Sequence, residues 1–155
     1  MKSSPVIRRI LAAETRPLRQ AILRPHQRVD ELVYPGDDSP DAAHFGAVVD
    51  GDLIGIGSIY REPPRGETND GAWRLRGMAV LPQLHRMGIG SLLLRACVDH
   101  ARRHGGTMIW FNARTPAILF YQAHGFQVRG EEFILPGAGP HYFMWSEIKS
   151  TEAGW

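Results

Sequence analysis

Leu75–His104 reads LRGMAVLPQLHRMGIGSLLLRACVDHARRH. An apolar strand ends at Met78-Ala79-Val80, breaks at Pro82, and passes through His85-Arg86-Met87-Gly88-Ile89-Gly90. Apolar residues then recur at Ile89, Leu92, Leu93, Ala96, Cys97 and Ala101. That is the i, i+3, i+4, i+7 spacing of one buried helical face. A strand feeding a glycine-containing turn that opens a helix points several backbone N–H groups at one spot, where the helix dipole favours negative charge. Glycine lets the backbone approach a bulky anion and adopt positive φ. The reading is a phosphate or pyrophosphate seat. A P-loop needs a Gly-Lys pair, and none exists; a dinucleotide fingerprint needs a third glycine where Leu93 stands. Two glycines before a helix also fit an ordinary strand-to-helix connection, so the neighbouring residues matter.

Those neighbours are specific. Val80-x-Pro82-x-x-His85-Arg86-x-Gly88-Ile89-Gly90-x-x-Leu93-Leu94 resembles the acetyl-CoA signature of the GNAT acyltransferases, Gln/Arg-x-x-Gly-x-Gly/Ala. Downstream, Ala117-Ile118-Leu119-Phe120-Tyr121-Gln122-Ala123-His124-Gly125-Phe126 is similar to the same family's A-x-x-F-Y-x-x-x-G-F segment. The resemblance covers nearly the whole chain. Asn112-Ala113-Arg114 and Gly139-Pro140-His141 look most like its ElaA-like branch. One residue departs from the pattern: His85 stands where the family has Gln or Arg. Main-chain amides hold the pyrophosphate in the family, so the change is expected to alter affinity rather than abolish it.

Composition sets the frame for that resemblance. A chain of 155 residues, 43% apolar and 22% charged, suits one globular domain with a real core. No run approaches the roughly 18 to 20 apolar residues that span a membrane. The start, Met1-Lys2-Ser3-Ser4-Pro5, lacks the apolar core of a secretion signal. A single cysteine forms no internal disulfide and fits a reducing compartment, so a cytoplasmic location is expected. Cys97 falls on the apolar helix face and reads as a core thiol rather than a nucleophile. A net charge of +2, with arginines spread throughout, gives no basis for a nucleic-acid partner. Arg95, Arg102 and Arg103 read as the solvated face of the long helix.

In chain order, Pro5–Leu11 reads as a first strand, and a helix follows with Pro17 in its first turn and a stripe of Leu18, Ile22 and Leu23, stopped by Pro25. His26–Ala43 is expected to be mostly loop, with room for one short helical turn; His26, Glu31, Tyr34, Asp37 and Asp38 suit either a pocket wall or a solvated connector. His44–Val49 and Leu53–Tyr60 form a hairpin through Asp50-Gly51. Arg61–Gly71 is a polar loop, Ala72–Val80 the central strand, and Gly105-Gly106 ends the long helix. Thr107–Asn112 is a buried strand parallel to the central one, followed by a helix from Pro116 to His124, then strands Gln127–Leu135 and His141–Ile148. Residues 1–149 form one domain and Ser150–Trp155 a flexible tail. The order β-α-β-β-β-α-β-α-β-β implies one α/β domain with a mixed, mainly antiparallel sheet. The resemblance adds a central parallel pair that splays, flanked by helices.

The resemblance further implies direct transfer of acetyl from acetyl-CoA to a primary amine of a small molecule or peptide, with no metal. Amides from Arg86, Met87, Gly88, Ile89, Gly90 and Ser91, with His85, would hold the pyrophosphate. Main-chain groups of Met78, Ala79 and Val80 would pair with the pantetheine arm and stabilise the oxyanion. Tyr121 takes the position of the general acid; a phenol is protonated at neutral pH and can donate to a leaving thiolate. The family's strand glutamate is missing, since Ala72–Val80 contains no carboxylate. Glu131, Glu132, His44 and His141 are the candidate bases. Asn112, at the strand end, is a further candidate contact to the cofactor, and Arg114 takes the place of a cofactor-contacting asparagine. His100 and His104 are spaced i, i+4, but a solvated helix end accounts for them better than zinc. A homodimer is among the assemblies that the resemblance implies. The missing carboxylate also fits another class of protein, an acyl-CoA-binding regulatory module without turnover.

Overall fold

A computed structural model of the chain describes residues 4–149. The expected tail at Ser150–Trp155 lies outside the described residues, as do the first three positions. Seven strands form one mixed sheet in the order β1-β2-β3-β4-β5-β7-β6. They are β1 (Val6–Ile10), β2 (Ala43–Val49), β3 (Asp52–Arg61), β4 (Ala72–Val80), β5 (Met108–Arg114), β6 (Gln127–Leu135) and β7 (Gly139–Glu147). Three α-helices accompany them: α1 (Ala12–Leu18), α2 (Ile89–Arg103) and α3 (Ile118–Ala123). β4 and β5 are the parallel pair, in register over Ala72↔Met108, Trp73↔Ile109 and Arg74↔Trp110, although β4 runs on to Val80 and β5 to Arg114. No helix among the described residues is long and apolar enough to cross a membrane.

By packing, the chain divides into two compact units: residues 4–60 with 75–100, and residues 61–74 with 101–149. In the first, β2 and β3 pair through Val49↔Asp52, and Asp50 (φ 50°) and Gly51 (φ 86°) both take positive φ. A hairpin turn of that hand matches the strand twist. Ala47, Ile54, Val80, Ile89 and Leu93 form one buried cluster, and Ile10, Ile56 and Ala79 another. In the second unit, Phe111, Tyr121 and Phe126 pack α3 onto β5.

Two boundaries differ from expectation. Helix α1 starts at Ala12, where the Glu14 carboxylate accepts the Leu11 N–H (2.9 Å), so Pro17 lies near its end rather than in its first turn. Proline lacks the N–H for the next helical bond and crowds the preceding turn. The chain widens directly after it into a π-helical turn, Arg19–Leu23, closed by Arg24 N–H on the Arg19 carbonyl (2.9 Å). Strand β5 extends to Arg114, which puts Asn112 inside the strand instead of at its end. The remaining elements lie within two residues of their expected spans. Helix α2 ends as glycine dictates: Gly105 is left-handed (φ 80°), and Gly106 N–H returns to the Ala101 carbonyl at 2.8 Å.

Candidate active site

The turn between β4 and α2 is built to expose main chain. Pro82–Leu84 makes one 3-10 turn, and the chain then takes positive φ at Arg86 (69°) and again at Gly88 (79°). A non-glycine residue held there is strained and worth functional scrutiny. The first i→i−4 bond of α2 runs from Leu92 N–H to the Gly88 carbonyl (3.2 Å), which makes Gly88 the cap. Amides of the first turn, Ile89 and Gly90 among them, therefore point past the helix end, where the dipole is positive. Arg86, Met87 and Gly88 are exposed, while Ile89 is buried in the core and anchors the turn. A Cβ built on Gly88 would meet nothing within 4 Å. The turn is open, cationic and lined by amides, which fits a diphosphate.

His85 finds a use that its sequence position did not disclose. Its Nε2–H donates to the Val80 carbonyl at 2.9 Å, strapping the turn to the last residue of β4. The Val80 carbonyl is thus occupied, and the Val80 side chain is in the core with Ile89 and Leu93. Ala79 packs with Ile10 and Ile56, and Met78 lies under Gly57, whose Cβ would sit 3.3 Å from Met78 Cε. The side chains of Met78, Ala79 and Val80 are committed to packing.

Tyr121 is 7% exposed. Its ring lies 4.3 Å, centroid to centroid, from Phe111 and 5.0 Å from Phe120. Residues alternate across a strand, so Asn112 stands on the opposite face of β5 from Phe111. There it pairs with Phe143, and Arg114 with His141. The structure therefore groups Asn112, Arg114 and His141 on one face, and does not put Tyr121 there.

The candidate bases separate clearly. His44 has both ring nitrogens engaged: Nε2–H donates to the Asp37 carbonyl (2.9 Å), and Nδ1 accepts from Ser58 Oγ–H (2.7 Å). It is a framework residue. Glu132 accepts from Thr115 Oγ1 (2.8 Å), and Glu131 is exposed. His141 is buried and its Nδ1–H donates to the Gly139 carbonyl (2.8 Å). In the neutral ring that bond leaves Nε2 with the lone pair. His100 is buried rather than solvated, with Nε2–H on the Asp41 carbonyl at 3.1 Å. Among the described residues no group of three or more His, Cys, Asp or Glu is placed to hold a metal. Cys97 is buried, and burial pushes its thiol up, away from thiolate chemistry.

One buried network was not legible in the sequence. Arg19, fully buried, donates to both Asp37 oxygens (2.7 and 3.0 Å), to the Leu32 carbonyl (2.9 Å) and to Tyr60 Oη (3.1 Å). Tyr60 O–H and Tyr34 N–H also donate to Asp37. Burial alone would raise Asp37, but these donors outweigh it and hold the carboxyl below its ordinary value. Burial likewise pushes the Tyr60 phenol up, reinforced by Asp37 against the pull of Arg19.

Comparison with known proteins gives the family and the fold. Residues 7–126 match the model of the acetyltransferase (GNAT) family. The chain is 32% identical over 145 residues to YitI, an uncharacterized N-acetyltransferase of Bacillus subtilis, covering 94% of this chain and 97% of YitI. Its fold is similar to that of Ard1 from Thermoplasma volcanium, with a TM-score of 0.76 at 19% identity over 95% of this chain and 99% of Ard1. An aminoglycoside 6′-N-acetyltransferase complexed with coenzyme A gives a TM-score of 0.72 at 16% identity, over 93% and 97% of the two chains.

Proposed function

The chain belongs to the acetyltransferase (GNAT) family, and from that premise we propose that it is an acetyl-CoA-dependent N-acetyltransferase acting on a primary amine of a small molecule or peptide. The observation that carries this reading is the open turn at Arg86–Gly88, left-handed at both ends and feeding the amides of α2. In this reading those amides, with Met87, Ile89, Gly90 and Ser91, hold the diphosphate of the cosubstrate. His85 keeps the turn in place through Val80. Main chain of Met78 and Ala79 orients the pantetheine arm, and Asn112 is a further contact. The thioester supplies an activated acetyl group. The enzyme's part is to orient it, protonate the leaving sulfur from Tyr121 and take a proton from the amine. For the last step our choice is His141, on the face of β5 opposite Tyr121: its Nδ1–H bond to the Gly139 carbonyl leaves Nε2 with the lone pair, and the amine would approach from that face. Asn112-Ala113-Arg114 and Gly139-Pro140-His141 place the chain, in our reading, in the ElaA-like branch. Its one thiol, buried, fits the cytoplasm.

Two measurements test this. Purified protein is expected to gain thermal stability with acetyl-CoA, by about 2.7 kcal/mol at a hundredfold excess over Kd, and to release free CoA thiol when an acceptor amine is supplied. Tyr121→Phe should lower kcat by about a hundredfold or more with CoA affinity unchanged. A second reading, a binding module without turnover, is favoured by the absence of any carboxylate on β4. It would be upheld by cofactor binding with no thiol release over a broad amine panel.

A further inference from the structure

Tyr34 is held in place by every polar group it has except its hydroxyl. Its backbone N–H donates to Asp37 Oδ2 (2.9 Å), and its carbonyl accepts from the Asp37 N–H (3.1 Å). Its ring is covered by guanidinium groups, with Arg19 Cζ 3.9 Å and Arg76 Cζ 4.2 Å from the ring centre. Tyr60, in the same cluster, makes the contrast: it is buried, and its hydroxyl donates to Asp37 and accepts from Arg19. The Tyr34 hydroxyl exchanges no hydrogen bond with the described residues, and its side chain is only partly buried. That hydroxyl end of the ring meets β4 at a kink. Gly77 has φ 68°, and a Cβ built there would sit 3.4 Å from Tyr34 Cε2, the ring carbon beside the one that bears the hydroxyl. Glycine inside a strand often marks a close approach of this kind. The next residue is Met78, the first one assigned above to the pantetheine arm.

We propose that the Tyr34 hydroxyl accepts a hydrogen bond from the acceptor amine and so selects primary over secondary amines. A phenol oxygen can take one N–H while the nitrogen lone pair stays directed at the acetyl carbon. Attack on the thioester carbon leaves the nitrogen positively charged, and one of its protons must then go to the base. A primary amine has two N–H groups at that stage, one for Tyr34 and one to lose. An N-methyl amine has a single N–H and cannot serve both. Because the backbone and ring of Tyr34 are already fixed, the bond orders little that was free before binding. The inference rests on the acyl-transfer reading for the identity of its ligand as the acceptor.

The test is thiol release from acetyl-CoA with glycinamide, L-phenylalaninamide, benzylamine and tyramine, each compared with its N-methyl derivative. Tyr34→Phe keeps the ring and removes only the hydroxyl. It should lower kcat/KM for the best primary amine about five- to tenfold and for its N-methyl derivative by less than about twofold. The preference for the primary amine shrinks accordingly, while the Kd for CoA and the melting temperature stay at their wild-type values. Tyr60→Phe is the control: it should lower the melting temperature and leave the wild-type preference intact, since the Tyr60 hydroxyl is bound to Asp37. A Tyr34→Phe protein with unchanged kcat/KM, as expected of a hydroxyl that meets only water, overturns the proposal, and so does an equal loss on primary and N-methyl amines. Wild type that releases no thiol with any of these amines sinks the acyl-transfer reading and this proposal with it; release by wild type and Tyr34→Phe alike sinks this proposal alone.

Discussion

Asp37 is the carboxylate on which the first unit depends. It sits in a loop, yet it is buried and accepts hydrogen bonds from a guanidinium, a phenol and a backbone amide. Removing one partner of a buried pair leaves the other charge uncompensated, at a cost of about 3–5 kcal/mol. Asp37→Asn should therefore destabilise the protein by an amount in that range, measured by urea unfolding. The sign with pH follows from the depressed carboxyl. Its contribution is complete above the ordinary aspartate value of 3.8 and is lost as pH falls from there through the lower, folded value. Wild type should lose stability in that acid window, and Asp37→Asn should lack that increment; parallel curves would contradict the assignment. No sequence pattern announced this pair. Arg19 and Asp37 are 18 residues apart, one following a helix and the other among turn residues, and only the fold joins them. In the sequence Asp37 reads equally well as a pocket wall, whereas in the structure its oxygens are spent on the framework.

At the scale of elements, β4, the turn and α2 form the proposed cofactor seat, and their structure was largely legible. Helical spacing from Ile89 to Ala101, a glycine pair at the helix start and another at its end are local signals, and each appears where it was read. Their physics is contained in a few consecutive residues. What stayed hidden was how side chains cross between elements: the His85 strap to Val80, the burial of His100, and the widening of α1 after Pro17. A proline in a helical stretch is legible, but which turn it falls in depends on where the cap forms, here through Glu14 on Leu11. The strap makes a prediction. A net hydrogen bond contributes about 1 kcal/mol, so His85→Ala should weaken CoA binding several-fold by calorimetry while leaving kcat at saturation within about twofold. An unchanged Kd would show that the turn holds its shape without the ring. Tyr121, on α3, is predicted to behave in the opposite way, with kcat falling and Kd steady.

For the molecule as a whole, the first unit carries the amide-lined turn and the second the aromatic cluster around Tyr121. The fold class was readable because the order of strands and helices allows few arrangements, and the parallel pair follows from the helix that joins β4 to β5. The acceptor was not readable, since loops and single side chains define it and obey no period. Everything functional rests on the amides at the start of α2 receiving a diphosphate. The direct test is a titration of ¹⁵N-labelled protein followed amide by amide, with CoA in one series and pantetheine, which lacks the diphosphate, in the other. The account predicts that the Gly88, Ile89 and Gly90 amide signals move on saturation with CoA and stay in place with pantetheine. Signals that do not move at saturating CoA, or that respond equally to both ligands, would contradict it.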